Sequence, residues 1–292
     1  MLPSAEQLIV EWQQWPVRFQ LYSSDAELAA RATAVLRHWN LSFVPGSEPL
    51  TTVRMTAERL LHGYSLSASP TAKAELYDDC SITLRAVEMN AALALLDHHE
   101  QVLTVHAGLL SRMSRGVIIV GPSHSGKSTL SCALWHSGWQ LLADDVAVLD
   151  CARREATPLL RRVSLRDPSR ELLGEDFWDQ MTNAESCDRT AEGYVFHPDE
   201  LTAISRARST PVSAVLFLAR NGAPELAPAE AQLIDPVQAL LALAPYTNSL
   251  QRTDLGTTMR RLGPLLNGVR AYDLARGPLD EMIATVERVT SD

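Results

Sequence analysis

The segment Gly121-Pro122-Ser123-His124-Ser125-Gly126-Lys127-Ser128 fits the pattern G-x-x-x-x-G-K-[ST] without a mismatch. Its residue types suit one task. Glycines let successive backbone N–H groups turn toward a single point and cradle polyphosphate oxygens. Lys127 supplies a point charge for the outer phosphates, and Ser128 offers a hydroxyl to Mg²⁺. Thr129 opens a helical pattern, and a helix starting there aims its positive dipole end at the same anion. The four residues before the loop, Val117 to Val120, are apolar and β-branched, so the loop lies between a strand and a helix. This combination implies ATP or GTP bound with Mg²⁺.

A second constellation narrows the chemistry. Asp144 and Asp145 lie just beyond the apolar run Gln140-Leu141-Leu142-Ala143, at a distance from the loop that accommodates one helix, a turn and a returning strand. Open α/β sheets place their ligands at such strand ends. One carboxylate there can hold Mg²⁺ or a water bound to it. Another can accept a proton from an incoming hydroxyl. Adjacent residues on a strand point to opposite faces, so the two carboxylates are expected to do different jobs unless the backbone turns. His106 precedes the loop on a segment that reads as pairing back toward it. It is either a satisfied core histidine or an imidazole brought near the acidic pair, where it would tune a base.

The elements that must position these groups can be read in outline. Residues 16–22 alternate as a strand, and Ser24 or Asp25 caps a helix running to about Trp39. Residues 51–57, 63–68 and 81–85 read as strands, and Val87 to His98 as a buried helix. The expected division is a small α+β unit over residues 1–86 and a nucleotide-binding domain over 87–292. In the second, residues 102–110 read as one long extended segment that turns at Ser114 to Gly116 into the strand before the loop. Gly138 ends the loop helix. Val146 to Asp150 and Val212 to Leu218 read as strands, and two helices near 236–243 and 279–289 close the chain.

Composition sets limits. The 292 residues carry a net charge of −9 and are 46% hydrophobic, enough for a sizeable core. An acidic chain argues against nucleic acid as main partner, because a phosphate backbone needs a basic face. The pairs Arg153-Arg154 and Arg161-Arg162 read as solvated surface. The spacing of the four cysteines fits no C-x-x-C metal pattern, and four in a chain of this length make no disulfide scaffold. Reduced thiols, no signal-peptide pattern and no apolar run of membrane length make a cytoplasmic protein without a membrane partner the expectation.

His106-Ala107-Gly108, the loop from Gly121 to Ser128 and Ala143-Asp144-Asp145 together resemble the catalytic half of bacterial HPr kinase/phosphorylase. The match is specific over about residues 102–150, and closest to stand-alone HPr-kinase-related proteins, which have motifs like Val163-Ser164-Leu165-Arg166 and Tyr194-Val195-Phe196-His197-Pro198. Thr129 stands where that family carries Glu, and its later Glu-Ile-Arg-Gly signature is not present. The resemblance implies a mixed-sheet α/β fold related to phosphoenolpyruvate carboxykinase, with ATP and Mg²⁺ as cofactors and phosphoryl transfer to a hydroxyl. It implies Asp144 as general base, His106 as its support, and Asp145 with Ser128 as metal holders. Residues 121–129 would hold the nucleotide. The acceptor would be a serine of a peptide or small protein, either HPr-like or a ribosomal peptide precursor in a peptide-modification system. Dimer, ring and monomer stay open. An arginine near the transferred group would stabilise charge, and Arg166, Arg220 and Arg252 are the candidates. A nucleotide-gated binding module without transfer, and a small-molecule kinase, are the alternatives.

Overall fold

A computed structural model describes residues 8–14, 17–36, 51–97, 103–159, 161–202, 209–220, 227–247 and 254–291. His98, His99 and Arg252 lie outside these residues. By its contacts the chain divides into two compact units, Met1–Glu100 with Gln180–Thr202, and Gln101–Asp179 with Ala203–Asp292. Each is a mixed α/β arrangement. No helix among the described residues is long and apolar enough to cross a membrane.

The first unit holds β1 (Leu8–Gln14), β2 (Val17–Ser23), α1 (Ala26–Leu36), β3 (Thr51–Arg59), β4 (Tyr64–Ser67), β5 (Glu75–Tyr77) and α2 (Cys80–Asp97). Its five strands lie in chain order, with β2 and β3 parallel and the other pairs antiparallel. The alternation predicted for β2 is real: Val17, Phe19 and Leu21 are fully buried. Asp25 caps α1, its Oδ1 accepting from the Leu28 N–H at 2.7 Å. Leu28, Ala32, Val35 and Leu36 form the buried stripe.

Two expectations change here. Residues 81–85 are helical, because Asp79 caps α2 by accepting from the Ile82 N–H at 2.8 Å and so starts the helix earlier. The boundary drawn between 86 and 87 would cut that helix, which is continuous and packs on β3, β4 and α1, so residues up to Glu100 group with the first unit.

The second unit begins with β6 (Leu103–Val105), β7 (Ala107–Arg112), β8 (Arg115–Val120), α3 (Lys127–His136), β9 (Gln140–Ala143), β10 (Ala147–Asp150), β11 (Glu155–Thr157), β12 (Val163–Leu165) and α4 (Ser169–Leu173). Next come α5 (Glu175–Thr182) and, in the first unit, the hairpin of β13 (Asp188–Thr190) and β14 (Gly193–Phe196). The chain closes with β15 (Thr210–Leu218), β16 (Ala231–Ile234), α6 (Pro236–Leu243), α7 (Leu255–Leu266), β17 (Arg270–Leu274) and α8 (Leu279–Ser291). The large sheet runs β6-β10-β11-β15-β8-β7-β9, with β17 parallel to the later part of β15 and β16 beyond it. Strands β8, β15 and β17 are mutually parallel, and their C-terminal ends at Val120, Leu218 and Leu274 meet at one edge. Strand β7 lies antiparallel on the other side of β8. This mixed order differs from an all-parallel sheet, in which every neighbour needs a crossover.

The expected extended segment 102–110 is broken at His106. Its first part, β6, pairs with β10, and its second, β7, pairs with β8 and β9. The facing segment breaks at the matching place: Val105 lies opposite Ala147 and Leu109 opposite Ala143. Residues 106–108 therefore face 144–146 where two strands change neighbours. Helix α3 covers this sheet with Leu130, Cys132, Ala133 and Leu134 buried, and Phe217 and Ile118 lie in the core beneath.

The turn between β3 and β4 makes a test of the first unit. Gly63 has φ +87, and a Cβ there would lie 2.1 Å from the Tyr77 carbonyl oxygen. Gly63→Ala should lower stability by roughly 1–3 kcal/mol, read as a fall of several degrees in the thermal midpoint. An unchanged midpoint would contradict this turn.

Candidate active site

The loop follows β8 and runs straight into α3. Gly126 is the N-cap of α3 with φ +97, a conformation that leaves glycine unstrained. Gly121 admits no side chain, since a Cβ would meet the Leu218 carbonyl oxygen at 2.6 Å and Ser125 Oγ at 2.7 Å. Lys127 is buried against its own loop, its Nζ donating to the carbonyls of Gly121 at 2.8 Å and Pro122 at 3.2 Å. Burial holds its pKa below the usual lysine value, and the charges of Asp145 and Asp144 offset part of that. Pro122, Ser123 and His124 form the exposed rim, while Ser125 is buried beneath them. Thr129 meets α4, its hydroxyl 2.8 Å from that of Ser169.

A residue that sequence reasoning did not find fixes the loop from behind. Arg276, just after β17, donates to the carbonyls of His124 at 2.8 Å and Ser125 at 3.1 Å. In a trans peptide the N–H points opposite to the C=O. Holding the Ser125 carbonyl therefore turns the Gly126 N–H away from Arg276. No sequence signal links these positions, which lie about half the chain apart. Only the parallel placement of β17 beyond β15 brings them together.

The acidic pair lies in the bend between β9 and β10. The backbone turns there, and the two carboxylates take different partners. Asp144 is 5% exposed, and Ser128 Oγ donates to its Oδ2 at 2.9 Å. Asp144 Oδ1 is buried with no hydrogen-bond partner. Asp145 is half-exposed. His106 Nδ1 lies 3.1 Å from its Oδ1, and an Arg161 guanidinium nitrogen lies 3.2 Å from its Oδ2. The structure thus brings His106, Lys127, Ser128, Asp144 and Asp145 together, but with partners exchanged relative to expectation. Ser128 meets Asp144 rather than Asp145, and His106 meets Asp145 rather than Asp144.

His106 is no core residue: it sits half-exposed in the strand break, its backbone N–H donating to the Tyr246 carbonyl at 2.8 Å. A carboxylate only accepts, so Nδ1 carries the proton that points at Asp145 and the neutral ring keeps an acceptor at Nε2. Burial lowers the His106 pKa, and Lys127 and Arg161 lower it further against the pull of Asp145. Asp144 moves the other way, to about 7. Burial is the main cause, the negative charge of Asp145 adds to it, and Ser128, the Ser164 N–H and Lys127 ease it.

The expected solvated pair Arg161-Arg162 is not solvated. Arg161 bridges to Asp145 and Arg162 is 5% exposed. Of the three arginines considered for the transferred group, Arg220 forms a two-pronged ion pair with the buried Asp273 at the end of β17. Arg166 follows β12 and approaches the loop, one guanidinium nitrogen 3.3 Å from His124 Nε2.

Among the described residues no group of three or more His, Cys, Asp or Glu side chains is placed to hold a metal ion. Mg²⁺ in nucleotide sites needs fewer protein ligands, because it binds through one or two carboxylates, phosphate oxygens and waters. The unsatisfied Oδ1 of Asp144 beside the Ser128 hydroxyl fits that demand.

Comparison with protein-family models finds no match, and comparison with curated proteins finds none. Among solved structures, the Hpr(Ser) kinase/phosphatase from Coxiella burnetii overlays at 17% sequence identity with a TM-score of 0.34, covering 64% of this chain and 97% of that one. An overlay this loose fixes neither family nor activity.

The raised pKa of Asp144 has a consequence for stability. Between the ordinary carboxyl range and about 7, the unfolded chain releases this proton while the folded chain keeps it. Stability attributable to this group is therefore lost as pH rises through that window, and the loss levels off above it. Without ligands, Asp144→Asn should melt close to wild type at pH 4.5 and roughly 5 °C higher at pH 8. Equal midpoints at pH 8 would mean that Asp144 is not held in a charge-averse site.

Proposed function

We propose that this protein is an ATP-dependent kinase that transfers the γ-phosphoryl group to a hydroxyl of a peptide or small protein, a serine being the acceptor that the resemblance favours. The observation that carries the reading is the 2.9 Å hydrogen bond from Ser128 to Asp144. It joins the phosphate loop to the acidic pair at one point. A loop that only held a nucleotide would have no need of two carboxylates and an imidazole there.

In this reading the Gly126 N–H, the start of α3 and Lys127 hold the phosphates. Ser128 and Asp144 would hold Mg²⁺, which when bound neutralises charge on the β- and γ-phosphoryl oxygens. The acceptor oxygen bonds to the γ-phosphorus as the bond from that phosphorus to the bridging oxygen breaks. ADP leaves with the bridging oxygen. The proton of the acceptor hydroxyl passes to His106 Nε2, whose ring Asp145 holds in the acceptor tautomer. The geometry therefore supports Asp144 on the metal side and the Asp145–His106 pair on the proton side. This exchanges the roles expected from the resemblance.

Transfer of label from γ-labelled ATP to a panel of serine-containing peptides and small proteins, read by mass spectrometry, tests the class and names the acceptor. His106→Asn should lower the rate of transfer by about 10²- to 10⁴-fold and leave Mg–ADP affinity unchanged. Wild-type rates in that variant would contradict the base assignment. Tight nucleotide binding with no labelled product would favour a nucleotide-gated binding module.

A further inference from the structure

His124 lies at the rim of the phosphate loop in the left-handed region, with φ +67, where glycine would sit without strain. Its carbonyl is held by Arg276, so the conformation is imposed from behind. Its imidazole Nε2 lies 3.3 Å from a guanidinium nitrogen of Arg166. Guanidinium only donates, so this nitrogen accepts.

Arg166 is itself anchored. Its carbonyl accepts from the Ser169 N–H at 2.9 Å where the chain turns into α4, and Ser164, two residues earlier, lies beside Asp144. The other arginines around the loop are engaged differently. Arg161 meets Asp145, Arg220 meets Asp273, and Arg276 holds loop carbonyls. An imidazole acceptor fixes the direction of a guanidinium without cancelling its charge, as a carboxylate would. Among the described residues no carboxylate pairs with Arg166, so its charge is open to an anion at the loop.

We propose that His124 is a positioning residue that holds Arg166 over the rim of the loop, so that Arg166 meets the terminal phosphate of a bound nucleoside triphosphate and lets the site tell triphosphate from diphosphate. This rests on the kinase reading and deepens it. The pair contacts an oxygen that ATP has and ADP lacks, so its contribution shows as selectivity rather than as general affinity.

The test compares Mg–AMP-PNP and Mg–ADP by calorimetry for the full chain. His124→Gly removes the imidazole from a backbone position that suits glycine, so its thermal midpoint should equal or exceed that of wild type. Its affinity for AMP-PNP should fall about tenfold, with ADP affinity within about twofold of wild type. Arg166→Ala should do the same, and the double variant should be no weaker than either single one. His124→Gln, whose amide oxygen reaches the position of Nε2 and keeps an acceptor there, should recover selectivity. Unchanged selectivity in His124→Gly, or losses that add in the double variant, would overturn the proposal. A wild-type protein that binds neither nucleotide would overturn the reading of the loop itself, and this proposal with it.

Discussion

The site depends on one carboxylate kept out of water. Asp144 is buried at the bend between β9 and β10, with one oxygen on Ser128 and the other on nothing. A buried polar atom without a partner costs on the order of 1–3 kcal/mol, more when charged. A fold retains such an atom where a ligand can answer it. The neighbouring Asp145 adds to the penalty, and Lys127 and Ser128 only partly relieve it. The surrounding architecture follows from holding this group still. The break in β6–β7 opposite the break in β9–β10 makes room for it, α3 delivers Ser128, and β12 brings the Ser164 N–H alongside.

Charges around the bend are sorted rather than pooled. The half-exposed carboxylate, Asp145, has Arg161 and His106 as partners. The buried one is tuned toward neutrality. Two adjacent aspartates thus differ in burial and in partners at the bend between β9 and β10. Behind the loop, Arg276 and the Arg220–Asp273 pair stabilise the shared end of β8, β15 and β17. The loop's shape is therefore set by the sheet as well as by its own glycines.

Much of this was legible in the sequence. The phosphate loop, the strand before it, the helix after it and the place of the acidic pair are local patterns with a mechanism. What the sequence hid was pairing. Which aspartate meets Ser128 depends on side-chain direction at a bend, and a motif carries no directions. Arg276 was invisible because it reaches the loop only through the neighbour order of β17 and β15. Among the elements, the early turns of α2 were obscured by the β-branched Ile82 and Thr83, although Asp79 is a legible cap. Helix α7 was missed because Gly256, Gly263 and Pro264 lower helix propensity, even though Asp254 caps it by accepting from the Thr257 N–H at 3.0 Å. In both, one capping carboxylate outweighed unfavourable residues downstream.

The claim that the metal-bound nucleotide and the buried carboxylate meet at one point is tested most directly by proton release. Mg–ADP binding should be measured by calorimetry at pH 7 in buffers of different ionisation enthalpy, for wild type and Asp144→Asn. Asp144, with its pKa near 7, is about half protonated there. Wild type should release measurably more protons than the variant when the metal–nucleotide complex binds. Equal proton release by the two proteins would contradict the account.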